Sequence, residues 1–330
     1  MMYWDSFVGK YLIQGVFHAL IVAVVVEALL KIWQVHKPYF RLRFRMLIII
    51  FPAVAMLLYQ SVYPERQEEN FRFNLAIFDS GRWLSLPLFD NLVVGHILII
   101  LTCLVSIIFL GQEVIPFIRQ VMRIRRHSKT GKVNSPKLKK ALMDINDSLG
   151  GGIPPVVLTN STKPIIHTSG FIRSDILISK SIIDSLDPDE LKGALAHEII
   201  HIVRRDHLKL GVLFFFRILM FFNPIVLIAF RRIIQDTEKA CDDLAVAISQ
   251  KPLALASGLI KVYRIIEGDP LLRQKGRRLR LSLGLQAKKA CLTERVERLV
   301  RPRPNPDLNY PNTRLVMTAM ALALLLFFVV

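Results

Sequence analysis

The sequence predicts a mainly α membrane protein: several spanning helices joined to a small α+β domain in which a short β-sheet precedes a metal-binding helix. Three observations carry that expectation. Hydrophobic residues make up 52% of the chain and its mean hydropathy is positive, more apolar than an ordinary globular protein. The lysines and arginines behind a net charge of +18 are concentrated in stretches that flank apolar runs, as in the loops between membrane spans. His197-Glu198-Ile199-Ile200-His201 places two histidines at i and i+4, on one face of a helix about one turn apart.

The first apolar run, Tyr11 to Trp33, is long enough to cross a bilayer and is broken chiefly by Gln14, His18 and Glu27. No strongly basic segment precedes it and no small-residue cleavage site follows, so it does not read as a cleavable signal peptide. Glu27 lies near the end of the run, where a snorkelling, structural carboxylate is the simpler reading. Lys31, Lys37, Arg41, Arg43 and Arg45 follow without an acidic residue among them, and a second span runs from Met46 to Tyr63. The next connection is net acidic, with Glu65, Glu68, Glu69, Asp79 and Asp90 against Arg66, Arg72 and Arg82. A third span covers about residues 92–110, and a run of basic residues from Arg119 to Lys140 succeeds it. Basic loops stay cytoplasmic. Residues 1–118 therefore read as a membrane region of three spans with the N-terminus outside, in a multi-pass protein of the inner (cytoplasmic) membrane. The basic stretches lack interleaved aromatics or a recognition-helix pattern, so no direct nucleic-acid contact is expected. Cys103, Cys241 and Cys291 are scattered and imply no disulfide framework.

Residues 119–152 read as a basic cytoplasmic linker and a helix, Lys137 to Leu149, stopped by Gly150-Gly151-Gly152. Ile153 to Thr159, Pro164 to His167 and Asp175 to Ile178 then read as short strands, opening a domain over 153–267. Asp187 as N-cap, Pro188 at the first helical position and Glu190 closing a capping box start the motif helix. That motif is the zincin signature, and a catalytic zinc usually takes three protein ligands. His197 and His201 supply two. Glu238-Lys239-Ala240-Cys241-Asp242 offers two carboxylates on one face of a second helix; Glu238 is the expected third ligand, and Asp242 is expected to accept the free ring N–H of a ligating histidine. Cys241 lies off that face, which disfavours a sulfur ligand. Glu198 projects about 100° round the helix from His197 and is read as general base and acid. One Zn2+ per chain follows.

Leu208 to Phe230 is apolar enough to span a membrane, yet it separates His201 from Glu238. A single crossing would part the ligands, so the segment is expected to turn at Asn223-Pro224 as a helical hairpin, re-entrant in the bilayer or buried in the domain. Asp242 to Glu267 is expected to continue as one helix ended by Gly268. Residues 268–314 read as a second basic cytoplasmic linker, with Pro302, Pro304, Pro306 and Pro311. Leu315 to Val330 is a final apolar run of sixteen residues, short of the roughly twenty that a perpendicular span needs. Either it is a truncated span or it borrows Asn312 to Arg314.

The run LDPDELKGALAHEIIHIVRRDH from Leu186 to His207, Phe222-Asn223-Pro224 and Glu238 to Asp243 resembles the BlaR/MecR family of membrane-bound antibiotic-sensor metallopeptidases. The likeness extends upstream through Ser169-Gly170-Phe171 and Ile176-Leu177-Ile178-Ser179 and covers most of the chain. The resemblance implies a gluzincin-like catalytic domain, His197 and His201 as histidine ligands, Glu198 as catalytic glutamate and Glu238 as the downstream ligand. It makes the Phe171 to Ser179 neighbourhood the candidate edge strand for an extended substrate. His207 and His167 are the candidates for stabilising the oxyanion. Family members also carry an extracellular penicillin-binding sensor after the last span, which these 330 residues do not include. The expected function is a membrane-embedded zinc endopeptidase cleaving at the cytoplasmic side in regulated signalling proteolysis. The alternative is a signal-transducing receptor or scaffold acting through self-cleavage or partner binding. Expected partners are a protein or peptide substrate, with a cytoplasmic repressor and the chain itself as candidates, the lipid bilayer, and a second copy of the chain as a candidate homodimer.

Overall fold

The computed structural model describes residues 7–89, 92–111, 115, 130–131, 135–159, 164–170, 174–268, 282–301 and 311–330. In chain order the elements are α1 (Phe7–Ile32), α2 (Pro38–Val62), a 3-10 turn (Pro64–Gln67), α3 (Glu69–Asn74), α4 (Ser80–Leu84), β1 (Pro87–Phe89), β2 (Leu92–Val93) and α5 (Val94–Phe109). They continue with β3 (Thr130–Gly131), α6 (Pro136–Leu149), β4 (Val156–Thr159), β5 (Ile166–Ser169), β6 (Asp175–Ser179) and α7 (Lys180–Ser185). The remaining helices are α8 (Pro188–Val203), α9 (Asp206–Leu219), α10 (Pro224–Ser249), α11 (Pro252–Gly268), α12 (Ser282–Val300) and α13 (Pro311–Phe327). The protein is mostly helical with a small sheet, and α1 and α2 are each long and apolar enough to cross a membrane. Residues 119–129 and 132–134 of the first basic linker and 269–281 and 302–310 of the second lie outside the described residues.

The chain forms two units. The first comprises residues 1–126, 211–236 and 306–330. Within it α1 packs along α2, burying Ala19, Val22 and Val26 against a face that includes Ile48, Ile49 and Met56. The turn between α9 and α10 rests on α1: Asn223 donates its amide to the Gly15 carbonyl at 3.0 Å and accepts the Ile225 N–H at 3.0 Å, starting the Pro224 helix. A Cβ at Gly15 would lie 2.9 Å from the Met220 Cε, so glycine there lets the turn approach the α1 backbone. Helices α9 and α10 are thus separated by a turn that ends at Asn223, where Pro224 begins the second helix. The last helix begins at Pro311, so it does take in Asn312 to Arg314. Beyond it, Val330 donates to the Phe78 carbonyl at 2.9 Å, and the buried Arg66 guanidinium donates to the carbonyls of Leu326, Phe327 and Val329.

The second unit comprises residues 127–210 and 237–305. Its sheet has the order β3-β4-β6-β5, with β4 and β6 parallel and the other pairs antiparallel. Ile176 and Ile178 of β6 point into a core shared with Leu138 and Ile145 of α6, Leu191, Leu195 and Ile199 of α8, and Leu255 of α11. The structure corrects three expectations. Asp175–Ser179 is an interior strand with partners on both sides, so among the described residues the edges of this sheet are Thr130–Gly131 and Ile166–Ser169; Phe171 itself lies outside them. The helix expected over Asp242 to Glu267 is two helices, because Pro252 cannot continue α10 and Gln250 turns into the left-handed region at φ 58°. The third apolar segment starts as a strand, Leu92–Val93, and is helical only from Val94.

The motif helix α8 starts as the capping pattern requires. The Asp187 N–H donates to Glu190 at 2.8 Å, and the buried Glu190 also accepts from Ser257 at 2.6 Å and Lys261 at 2.7 Å on α11. Burial alone would raise the Glu190 carboxyl, but the bonds from Lys261, Ser257 and Asp187 outweigh it and hold the group below its ordinary value. A depressed carboxylate stabilises the fold above its unfolded value and loses that contribution as pH falls through its folded value. Glu190→Gln should therefore cost about 1 kcal/mol at neutral pH, as a lost cap does, and the difference in melting temperature from wild type should shrink below about pH 4.3.

Candidate metal centre

His197 and His201 leave α8 on one face, as the i,i+4 spacing dictates, and their rings meet at 4.8 Å between centroids and 85° between planes. The two Nε2 atoms are 3.2 Å apart. Glu238 comes from α10 with one oxygen 3.4 Å from the His197 Nε2 and the other 3.6 Å from the His201 Nε2. Bonds of 2.0–2.1 Å to zinc in a tetrahedron give ligand-to-ligand edges of about 3.3 Å; the two Nε2 atoms stand near that spacing, and each has a different Glu238 oxygen close to it. The chemistry of the set, two imidazole nitrogens and a carboxylate, suits the same ion.

Each histidine has its own carboxylate behind it. The His197 Nδ1 faces Asp242 Oδ1 at 3.0 Å, and the His201 Nδ1 faces Asp206 Oδ2 at 3.2 Å. Such partners fix the ring tautomer so that Nε2 is free for a metal. Asp242 was legible from its spacing to Glu238. Asp206 was not, because it lies past the end of α8, beyond a turn in which Arg205 takes φ 54°. The Cys241 thiol, fully buried, donates to Asp206 at 3.3 Å and sits 3.4 Å from the His201 Nδ1. It stands behind the ring, not among the Nε2 donors.

Arg295 on α12 is the other residue that sequence reasoning missed. Its Nε and Nη2 donate to the two oxygens of Asp242 at 2.7 Å each, and its Nη1 donates to Glu238 at 2.8 Å. One guanidinium fork thus holds both α10 carboxylates in place. Nothing local announces it, since it joins Glu238 from 57 positions away. Arg295→Met should leave the buried Asp242 and the partly buried Glu238 carboxylates without their cation and lower stability by about 3 kcal/mol, measured by denaturant unfolding in detergent.

The field at the centre favours a cation. Burial works against charge on Glu238, but hydrogen bonding to His197 and the charges of His197, Arg295 and His201 outweigh it and hold the carboxyl at about 2. For Asp242 burial is likewise outweighed by Arg295 and His197, and its carboxyl is pushed far below the usual range. His197 shows the complement: burial disfavours its cation, yet the bonds to Asp242 and Glu238 raise it to about 10. Anionic oxygens that hold a proton so firmly on an imidazole are equally arranged to hold a metal cation in its place.

Around this set, Glu198 is half-buried on the neighbouring position of α8. His207, in the first turn of α9, lies with its ring 6.2 Å from that of His201, and its Nε2 is 2.6 Å from the Thr168 hydroxyl on β5. Burial and the nearby His201 charge lower the His207 imidazole, which keeps it neutral. His167 is exposed on β5, and strand alternation puts it on the opposite face from Thr168.

His197, His201 and Glu238 form a donor set that could hold a metal ion. Residues 6–269 match the family model described as BlaR1 peptidase M56, and the chain belongs to that family. It is also similar to the protease HtpX homolog of Salinibacter ruber, with 25% identity over 178 residues, covering 46% of this chain and 64% of the relative. The chain thus spans about 64% of the length of that curated relative.

Proposed function

We propose that the chain is a membrane-embedded, zinc-dependent endopeptidase that cleaves peptide bonds at the cytoplasmic side of the membrane, in regulated signalling proteolysis. The observation that carries this reading is that His197, His201 and Glu238 each bring one donor atom to within 4.8 Å of the others, with the two Nε2 atoms 3.2 Å apart. A zinc ion held there would polarise a peptide carbonyl and acidify a water molecule. The chain's own residues do the rest. Glu198 takes the proton from the attacking water and delivers it to the departing amine nitrogen. Asp242 and Asp206 hold the two imidazoles in the ligating tautomer, and Arg295 keeps Glu238 ionised and aimed. His207, neutral and pinned to β5 through Thr168, is the better placed of the two oxyanion candidates. The open edge of β5 offers backbone hydrogen bonds to a peptide in extended form, a mode that tolerates many sequences.

Four apolar segments within α1, α2, α5 and α13 are read as spans, and the α9–α10 hairpin as re-entrant from the cytoplasmic side. Exposed apolar stripes at helical spacing support this: Ile97, Ile100, Leu104 and Ile107 on α5, and Met320 and Leu324 on α13. Basic residues at the α1–α2 connection support a cytoplasmic location for that end, and the acidic connection after α2 supports the outside for the other.

The test is metal content of the detergent-purified chain together with cleavage of an unfolded protein and of the chain itself. About one zinc per chain and chelator-sensitive cleavage are expected. Absence of zinc would move the chain to the receptor or scaffold class. For topology, cysteines placed near Phe222 should resist labelling by a membrane-impermeant reagent added outside intact cells; labelling there would exclude the re-entrant hairpin.

A further inference from the structure

Within the second unit, a sulfur, a nitrogen and an oxygen converge behind the His201 ring. The His201 Nδ1 stands 3.2 Å from Asp206 Oδ2, the Cys241 Sγ stands 3.3 Å from the same oxygen, and the sulfur and the nitrogen are 3.4 Å apart. One atom from each residue therefore closes the triangle. Around a tetrahedral zinc, bonds of 2.0–2.1 Å to nitrogen and oxygen and about 2.3 Å to sulfur give edges of about 3.3 Å between N and O and about 3.6 Å to S. The observed edges approach these values without the ion.

The surroundings leave that oxygen free for the task. Arg204 donates to Asp206 Oδ1 at 3.2 Å, and the Lys209 ammonium is 3.8 Å from the same atom. The cations thus hold Oδ1, while Oδ2 faces the thiol and the ring. Cys241 is fully buried and Asp206 is 2% exposed, so water competes little for either. A thiol is a weak hydrogen-bond donor, and its thiolate is a strong ligand for soft metals. The mixture of S, N and O suits a zinc-class ion and not Mg2+ or Ca2+, which take oxygen.

We propose that His201 Nδ1, Cys241 Sγ and Asp206 Oδ2 form a second metal site, for a thiophilic divalent cation of the zinc and cadmium class. The entering ion displaces the thiol proton to solvent, as coordination does outright. With a metal on Nε2 the ring proton leaves from Nδ1 as well, so two protons are exchanged for one divalent charge. With Nε2 empty, the ring proton moves to Nε2 and one proton leaves. Neither Nε2 nor Glu238 is used, so the inference does not depend on the metallopeptidase reading.

The test uses the full chain in detergent with Cys103→Ser and Cys291→Ser, which leaves Cys241 as its one thiol, and Cd2+ as the probe. After equilibration the folded chain should show thiolate-to-cadmium charge-transfer absorption that saturates at about one ion per chain, and its melting temperature should rise. Cys241→Ser in that background should lose the absorption, with Cys241→Ala as the substitute should serine not fold. Asp206→Asn should weaken cadmium binding at least about tenfold. Glu238→Ala should keep the absorption. No absorption from the folded one-thiol chain, absorption without a rise in melting temperature, or unchanged affinity in a folded Asp206→Asn overturns the proposal. Loss of the absorption in a folded Glu238→Ala overturns it too, by placing the ion among the Nε2 donors. A chain that shows the cadmium absorption but holds no zinc removes the metallopeptidase reading and leaves this site standing.

Discussion

Replacing Glu198 by glutamine should abolish peptide hydrolysis and leave the metal in place. The amide fills the same space on α8 but cannot accept the proton of an attacking water, and general base catalysis typically contributes about 10²- to 10⁴-fold. Glu198 contributes none of the three donors that meet within the His197, His201 and Glu238 triangle, so metal content should match wild type. Turnover of an unfolded protein substrate and zinc content, followed on the same preparation, check both halves. Full activity in Glu198→Gln would hand the proton to another group, with His207 the nearest alternative.

The second large effect is expected at Glu238. Removing a direct ligand should weaken zinc binding by more than the tenfold to hundredfold typical of an outer partner, and Asp242→Asn should fall within that smaller range. Glu238→Ala should therefore release zinc under conditions in which Asp242→Asn still retains it, and should lose all cleavage. Arg295 still holds Asp242 through two bonds in Glu238→Ala, so α10 should stay in place and the melting temperature of the metal-free protein should fall only modestly. Equal zinc retention in the two variants would reverse their assigned roles.

What could be read from the sequence follows from range. His197, Glu198 and His201 share one helix, and Glu238 and Asp242 share another, so a period of 3.6 residues suffices to place each set on a face. The break before Pro224 was legible from a conflict: an apolar run stood between two expected ligands, and Asn223-Pro224 offered a place to turn. Asp206 lies one backbone irregularity away and escaped for that reason. Arg295 reaches the site from a separate helix after a long intervening stretch, and no spacing rule covers such a pairing. The edge expected near Phe171 to Ser179 falls instead on β5, which returns antiparallel beside β6, because which of two short apolar strands ends on the outside is decided by tertiary pairing. The break before α11 was visible in Pro252, but apolar periodicity running across it was given more weight than the proline.

The order in which the two units use the chain bears on biosynthesis. Every residue of the metal centre lies at or before Arg295, whereas the first unit needs 311–330 to supply the strand-like contact with Phe78 and the carbonyls bound by Arg66. During synthesis the donors of the centre are made before residues 311–330, which the first unit uses. A newly made chain therefore carries every donor of the candidate metal centre before the contacts that 311–330 make in the first unit can form.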